Sequence, residues 1–95
     1  MKKFCEWKIK LDSQIVKMPE GTEFLHVRPL SDENELLGLA TLCDFDEERV
    51  IHVMIDVLST GDSMSDKWYA DRRYVGSAYL CRRLWHVLVK DGANA

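Results

Sequence analysis

Three histidines and three cysteines are the residues of this chain with the chemistry of zinc ligands. They are His26, His52, His86, Cys5, Cys43 and Cys81. A structural zinc site usually draws ligands in pairs from short motifs such as Cys-x-x-Cys or His-x-x-x-His. No two of these residues stand at such a spacing, so the sequence predicts no metal site and no cofactor. Three widely spaced cysteines also make a poor disulfide framework, and we expect reduced thiols.

Nucleophilic catalysis would need a serine or cysteine, a base within hydrogen-bond reach and a third group that orients the base. On paper the chain offers three serines, two histidines and one carboxylate, namely Ser59, Ser63, Ser77, His52, His86 and Asp56. No nucleophile elbow surrounds them, and the segment 60–63 is too short to cradle a phosphate. The sequence therefore predicts a protein that is not an enzyme.

Arginines and aromatic residues are concentrated in the last third of the chain. The predicted partner-binding residues are Trp68, Tyr69, Arg72, Arg73, Tyr79, Arg82 and Arg83. Arginine and aromatic side chains are frequent anchors of protein interfaces, and they also grip phosphate groups. If the strands 73–81 and 84–89 pair, the four arginines are expected near each other, but adjacent arginines point to opposite faces of a strand, so at most part of the set forms one patch. An ordinary solvated surface is the competing interpretation.

The charge balance argues against a dedicated nucleic-acid binder. The chain has 95 residues, 46% hydrophobic and 31% charged, with a formal net charge of −3. Residues 1–61 carry 7 Lys/Arg and 12 Asp/Glu, whereas residues 62–95 carry 6 and 4. Nucleic-acid-binding domains usually show a basic excess, although a local basic patch would suffice. Two acidic segments, 32–35 and 44–48, are expected at opposite ends of one strand, as solvated turns rather than one acidic face.

Hydrophobic periodicity predicts a single small β domain over residues 1–95. The longest β-branched run, 49–58, places Ile51, Val53, Ile55 and Val57 on one face, as expected of a central strand. Further strands are predicted at 2–11, 14–18, 22–30, 36–43, 73–81 and 84–89. The segment 36–43 is also compatible with a short helix, but its length and flanking loops favour a strand. No run approaches the length of a membrane span.

Local signals add detail to this outline. In the strand 22–30, alternation places Leu25 and Val27 on one face and Phe24 on the other. A short helix is predicted near 63–71, capped by Asp62 or Ser63. The tip of the last hairpin is expected at 82–83, and 90–95 is expected to be a frayed polar tail. The fold class is therefore all-β, mainly antiparallel, as a small sandwich or a partly open barrel with at most one short helix.

The ordered motifs resemble a family of small uncharacterised phage and prophage proteins, a domain of unknown function. They are a Trp-Lys strand at 7–8, Met-Pro-x-Gly at 18–21, Thr-Gly at 60–61, Tyr-Val-Gly at 74–76 and Trp-His-Val at 85–87. The resemblance spans roughly residues 7–88. The family usually has a glycine-containing turn where Arg82 and Arg83 stand here. The resemblance implies a phage origin and a bacterial cytoplasm, and it implies no assigned activity.

These observations together predict a non-enzymatic phage-type binding protein. Its expected partner is a host protein or protein complex that it inhibits, for example a bacterial defence system, as anti-CRISPR proteins do. One alternative is a nucleic-acid-binding accessory protein, and another is a small-molecule module that binds a nucleotide. Exposed sheet edges also allow a homodimer.

Overall fold

A computed structural model describes residues 1–30 and 36–94. The acidic segment predicted at 32–35 therefore lies outside the described residues. The elements in chain order are β1 (Lys2–Lys10), β2 (Gln14–Pro19), β3 (Glu23–Pro29), β4 (Leu36–Asp44), β5 (Val50–Ser59), α1 (Asp66–Ala70), β6 (Arg73–Leu80) and β7 (Arg83–Asn94). No helix in the described parts of the chain has the length and apolar character needed to cross a membrane.

The seven described strands form two antiparallel sheets. The first sheet has the order β1-β4-β3, and the second sheet has the order β2-β5-β7-β6. The molecule measures 39 × 35 × 17 Å, and its thin dimension fits two sheets packed face to face about 10 Å apart. No closed barrel forms from the described strands. The predicted all-β class, mainly antiparallel with one short helix, is confirmed.

The predicted central strand is also confirmed. β5 lies between β2 and β7, and its four alternate residues Ile51, Val53, Ile55 and Val57 are buried in the core between the sheets. Opposite them, Val87 and Val89 of β7 are buried, as the alternation in the last strand predicts. The core-facing side chains of β5 and β7 are thus mainly β-branched, as expected of strands that are buried on one face.

A β-bulge in β3 corrects the face assignment of this strand. The register shifts between Phe24, which pairs with Thr41, and His26, which pairs with Ala40. Phe24 and Val27 are therefore both buried, whereas Leu25 is 42% exposed. The prediction that Leu25 and Val27 share a face is wrong, because one extra residue in a bulge reverses the alternation beyond it.

β4 is a strand and not a helix, and it is the central strand of the first sheet. Gly38 lies between Lys8 of β1 and Arg28 of β3. Glu6 extends over this glycine to Arg28, with Nε–Oε2 and Nη2–Oε1 distances of 2.6 and 2.8 Å. A Cβ at position 38 would lie 2.8 Å from the Glu6 carboxyl group. The glycine is therefore explained by the close approach of the Glu6 side chain.

The last hairpin differs from its prediction at both ends. Its tip is formed by Cys81 and Arg82, with φ of 53° and 63°, and Arg83 already pairs with Leu80 in the ladder. Two consecutive positive φ angles are typical of a type I′ turn, which suits the twist of the flanking strands. The predicted frayed tail is also wrong, because β7 continues along β5 until Asn94 pairs with Ile51. The polar composition of residues 90–94 gave no indication that the strand continues through them.

Candidate binding surface

The segment after β5 folds back over the outer face of the second sheet and ends in α1. Ser65 caps α1 by accepting a hydrogen bond from the Trp68 backbone N–H at 3.1 Å, so neither Asp62 nor Ser63 is the cap. Asp62 instead closes the preceding turn, where its carboxylate accepts hydrogen bonds from the N–H and the hydroxyl of Ser59 at 2.8 and 3.2 Å. Gly61 permits this turn with a φ of +103°.

Arg72 fastens the end of α1 to β5. Its Nε donates to Asp56 Oδ2 at 3.0 Å, and its Nη1 donates to the Trp68 carbonyl at 2.9 Å. The guanidinium group also lies 3.7 Å from the centre of the Trp68 ring, a cation–π contact. Asp56 accepts a further hydrogen bond from Ser13 at 2.7 Å. The Arg72 and Asp56 side chains are only 8% and 10% exposed, so Arg72 is a structural anchor.

The structure does not bring the four arginines together. Arg73 begins β6 and pairs with Val89 of β7. Arg83 begins β7 and pairs with Leu80, which is the last residue of β6. Seven residues of strand separate these positions, which is about 23 Å. The hairpin turns at 81–82 and holds the two arginine pairs at its opposite ends, so at most one pair contributes to any single patch. Arg82 and Arg83 are exposed at the tip, next to Tyr79.

A patch of exposed aromatic and apolar side chains covers this outer face. Tyr79 pairs with Leu84 across β6 and β7, and Tyr74 pairs with Leu88 two rows further along the same face. We call the exposed members the tyrosine patch, and they are Met64 (40% exposed), Tyr69 (49%), Tyr74 (46%), Tyr79 (64%) and Leu84 (40%). They are five of the eleven exposed large apolar side chains among the described residues. All three tyrosines of the chain belong to this patch, whereas the other six exposed apolar side chains lie outside it.

A concave site of about 290 Å³ lies within the tyrosine patch, and we call it the His86 pocket. Its walls come from the end of β5, the following turn, α1 and the hairpin β6–β7. The lining residues are Leu58, Ser59, Thr60, Gly61, Asp62, Met64, Tyr69, Tyr74, His86 and Leu88. The lining is mainly apolar and aromatic with a few polar groups, the usual composition of a ligand pocket.

His86 is held by two hydroxyl groups. Its Nδ1 lies 2.7 Å from the Tyr74 hydroxyl, and its Nε2 lies 2.8 Å from Thr60 Oγ1. A neutral imidazole donates a hydrogen bond from one nitrogen and accepts one at the other. Each ring nitrogen of His86 therefore has a hydroxyl group as its partner. None of the hydrogen bonds between described residues joins His86 to a serine. Asp56, the predicted third group of a catalytic set, is bound by Arg72 and Ser13 instead.

The other candidate ligands are scattered. His26 is on the outer face of the first sheet, and His52 is on β5 opposite Lys17. Within residues 1–30 and 36–94, no three His, Cys, Asp or Glu side chains form a group that could hold a metal ion. Cys43 is buried and Cys81 is exposed at the hairpin tip. Burial raises the pKa of the Cys5 thiol, and the nearby Cys43 adds to this increase.

The acidic turn after β4 interacts with the beginning of the chain. The amino group of Met1 lies 3.2 Å from Asp44 Oδ1 and also contacts the Asp46 carboxylate. These two carboxylates therefore connect the end of β4 to the start of β1. They belong to the first sheet, whereas the tyrosine patch lies on the second sheet.

Of the predicted binding residues, Tyr69, Tyr79, Arg82 and Arg83 lie at or beside the tyrosine patch. Trp68 and Arg72 form the anchor of α1, and Arg73 stands apart. Sequence reasoning missed Thr60, Met64, Tyr74 and Leu84. Tyr74 reaches His86 because the register shifts between Tyr74 and Gly76, and a regular pattern of alternation does not reveal such a shift.

Comparisons of the chain with models of protein families, with curated proteins and with solved structures find no match in any of the three. The resemblance to the phage family stays a prediction. The function is therefore argued from the geometry of the tyrosine patch and the His86 pocket.

Proposed function

We propose that this protein is a non-enzymatic binding protein that attaches to a partner protein through the outer face of its second sheet. The placement of all three tyrosines of the chain on that one face, together with the exposed Met64 and Leu84, supports the proposal most strongly. Contiguous exposed apolar surface is typical of interaction sites in soluble proteins. Tyrosine, methionine and arginine are also enriched at the cores of protein interfaces.

The shape of the face suits a partner that inserts an anchoring side chain. Binding energy in protein interfaces is concentrated in a few residues that fill well-packed pockets. The His86 pocket is one such concavity, and Tyr69 and Tyr74 stand at its rim. Arg82 and Arg83 extend the face at the hairpin tip with positive charge, which favours a partner with carboxylates beside its apolar contact area.

The partner that we propose is a host protein complex in the bacterial cytoplasm, which the protein inhibits by covering one of its surfaces. This step rests on the sequence resemblance to phage proteins and on the anti-CRISPR type of function expected from it. A small protein with an interface carried on paired strands is well suited to act by occlusion, because residues that are positioned before binding lose less conformational entropy.

The two alternative functions have less geometric support. Nucleic-acid binding was expected to use Arg72, Arg73, Arg82 and Arg83 together, but the hairpin separates Arg73 from Arg82 and Arg83, and Asp56 neutralises Arg72. Nucleotide binding would need cations for the phosphates, and the lining of the His86 pocket contains no lysine or arginine. A second concavity, of about 490 Å³, is lined by Arg72, Arg73 and Lys90, but Asp56 pairs with Arg72, Asp71 pairs with Lys90, and Asp91 adds a further negative charge to its lining. Contacts to phosphate groups are strongest at low salt, so a gel shift at low salt would detect nucleic-acid binding most readily. We expect it to show no complex.

The proposal is tested by capture from a bacterial extract with two matched variants. Tyr79→Ser combined with Arg83→Ser removes an anchor and a charge from the proposed face. Phe4→Ser combined with Lys2→Ser makes a comparable change on the outer face of the first sheet, where Phe4 is 79% exposed. We expect the unsubstituted protein and the Phe4/Lys2 variant to retain the same stoichiometric partner, and the Tyr79/Arg83 variant to lose it.

Two results would count against this proposal. One is capture that the Tyr79/Arg83 variant retains in full, which would place the interface elsewhere. The other is the absence of any stoichiometric partner, with no effect of the expressed protein on host defence systems. Size-exclusion chromatography of the purified protein distinguishes a host partner from self-association through the same face.

A further inference from the structure

The His86 pocket has a charge character opposite to that of the hairpin tip. Its only formally charged lining side chain is the carboxylate of Asp62, and the remaining lining groups are apolar, aromatic, hydroxyl, glycine or imidazole groups. The carboxylate is held in place by the N–H and the hydroxyl of Ser59, so its position is fixed before any ligand arrives. An anion in this pocket would meet a negative charge and no cation.

Two tyrosines and an imidazole provide aromatic surface around this carboxylate. Tyr69 and Tyr74 both line the pocket and are about half exposed, and the Tyr74 ring lies 5.8 Å from the His86 ring, tilted by 46°. The faces of aromatic rings attract cations, and rings grouped with a carboxylate are a common way of binding organic ammonium groups. The bonds from His86 to Tyr74 and Thr60 hold two of the walls in place.

We propose that the His86 pocket binds a small organic cation, a protonated amine attached to an aromatic or apolar body. The ammonium group lies near Asp62 and the tyrosine rings, and the body packs on Leu58, Met64 and Leu88. The volume of about 290 Å³ is at the small end of ligand pockets, which fits one ring with a short chain. This inference does not depend on the partner protein proposed above.

The test is a set of three probes of similar size that differ in charge. They are 2-phenylethylamine, the neutral 2-phenylethanol and the anion 3-phenylpropionate. Each probe is titrated into the ¹⁵N-labelled full chain, and amide shifts are followed by NMR. We expect the amine to shift Thr60, Gly61 and Tyr74 saturably at millimolar concentration, the alcohol to bind at least about threefold more weakly and the anion to bind weakest.

The variant Asp62→Asn tests the carboxylate itself. Asparagine keeps an oxygen that can accept from Ser59, so the turn is expected to persist while the charge is removed. Glu48→Gln changes the net charge by the same amount at the opposite end of β5 and serves as the control. We expect Asp62→Asn to weaken the amine at least about twofold and leave the alcohol unchanged, with Glu48→Gln affecting neither.

Three results would overturn the inference. They are equal or tighter binding of the alcohol or the anion, no saturable shift of the pocket amides with any probe, and an amine affinity that Asp62→Asn leaves unchanged. None of these outcomes bears on the capture of a partner protein, so the two proposals fail independently.

Discussion

The Arg72 guanidinium group lies 3.0 Å from the Asp56 carboxylate in a contact that is almost closed to solvent. This pair joins α1 to the centre of the second sheet and so holds the segment that forms one wall of the His86 pocket. Two neighbouring arginines therefore have different roles. Arg72 belongs to the framework, and Arg73 is exposed at the start of β6.

Replacement of Arg72 is expected to destabilise the fold strongly. Arg72→Ala leaves the buried Asp56 carboxylate with the Ser13 hydroxyl but no cation, and such a loss usually costs about 3–5 kcal/mol. Arg73→Ala is the matched control, and we expect a change within about 0.5 kcal/mol. Urea unfolding of both variants measures the difference. Similar midpoints for the two variants would show that the ion pair does not hold α1.

The bulge in β3 predicts opposite outcomes for two adjacent residues. Phe24→Ala removes a ring that is 8% exposed, and truncation of a buried phenylalanine costs about 3–5 kcal/mol. Leu25→Ala acts on a side chain that is 42% exposed, and we expect about 1 kcal/mol or less. The free energy of unfolding, measured for each variant, shows which of the two side chains is buried. A larger loss of stability for Leu25→Ala than for Phe24→Ala would indicate that Leu25 is the buried residue and would contradict the bulge.

The Glu6–Arg28 ion pair predicts a component of stability that depends on pH. The hydrogen bonds from Arg28 hold the pKa of Glu6 below its ordinary value of 4.5. A carboxyl group with a lowered pKa in the folded state stabilises the fold above its unfolded pKa, and this contribution is lost as the pH falls through the folded pKa. We expect the urea midpoints of the unsubstituted protein and Glu6→Gln to differ at pH 7 and to converge below pH 4.5.

Gly38→Ala offers an independent check of the same contact. The new Cβ would displace the Glu6 carboxyl group, which lies 2.8 Å from that position, so the variant should also lose the pH-dependent component. The effect at pH 7 is expected to be small, because an exposed ion pair contributes little. A pH profile of Gly38→Ala that parallels that of the unsubstituted protein would contradict the assigned contact.

The three thiols are expected to react at different rates. Cys81 is exposed at the hairpin tip, Cys43 is buried, and burial raises the pKa of Cys5. Because the thiolate is the reactive form, iodoacetamide should modify Cys81 first in the native protein, as peptide mass spectrometry would show. All three thiols should react in urea. Modification of Cys5 as fast as Cys81 in the native protein would contradict the described environment of Cys5.

The sequence was sufficient for the features that depend on regular alternation. Ile51, Val53, Ile55 and Val57 identify a half-buried central strand because their period of two is unbroken, and the structure confirms it. The segment 36–43 was predicted as a strand on a different ground, its short and continuous apolar character between two loops, and the structure confirms it as β4. These patterns report burial directly, and burial of apolar surface is the dominant favourable term in folding.

The features that the sequence did not reveal depend on register. The bulge beside Leu25 and the shift between Tyr74 and Gly76 change which side chains share a face without any change in composition. Arg72 looked like a binding residue because nothing in its neighbours along the chain indicates Asp56, sixteen residues earlier. The His86 pocket likewise draws its walls from four separate elements, so only the fold brings them together.

The most direct test of the proposed binding face is site-specific photo-crosslinking in bacterial cells. The photoreactive residue p-benzoylphenylalanine replaces Tyr79 on the tyrosine patch in one sample and Phe4 on the first sheet in the other. Both positions are highly exposed, at 64% and 79%, so the two substitutions should be tolerated equally. We expect one discrete protein adduct from position 79 and none from position 4. An adduct from position 4 alone, or no adduct from position 79, would contradict the proposed binding face.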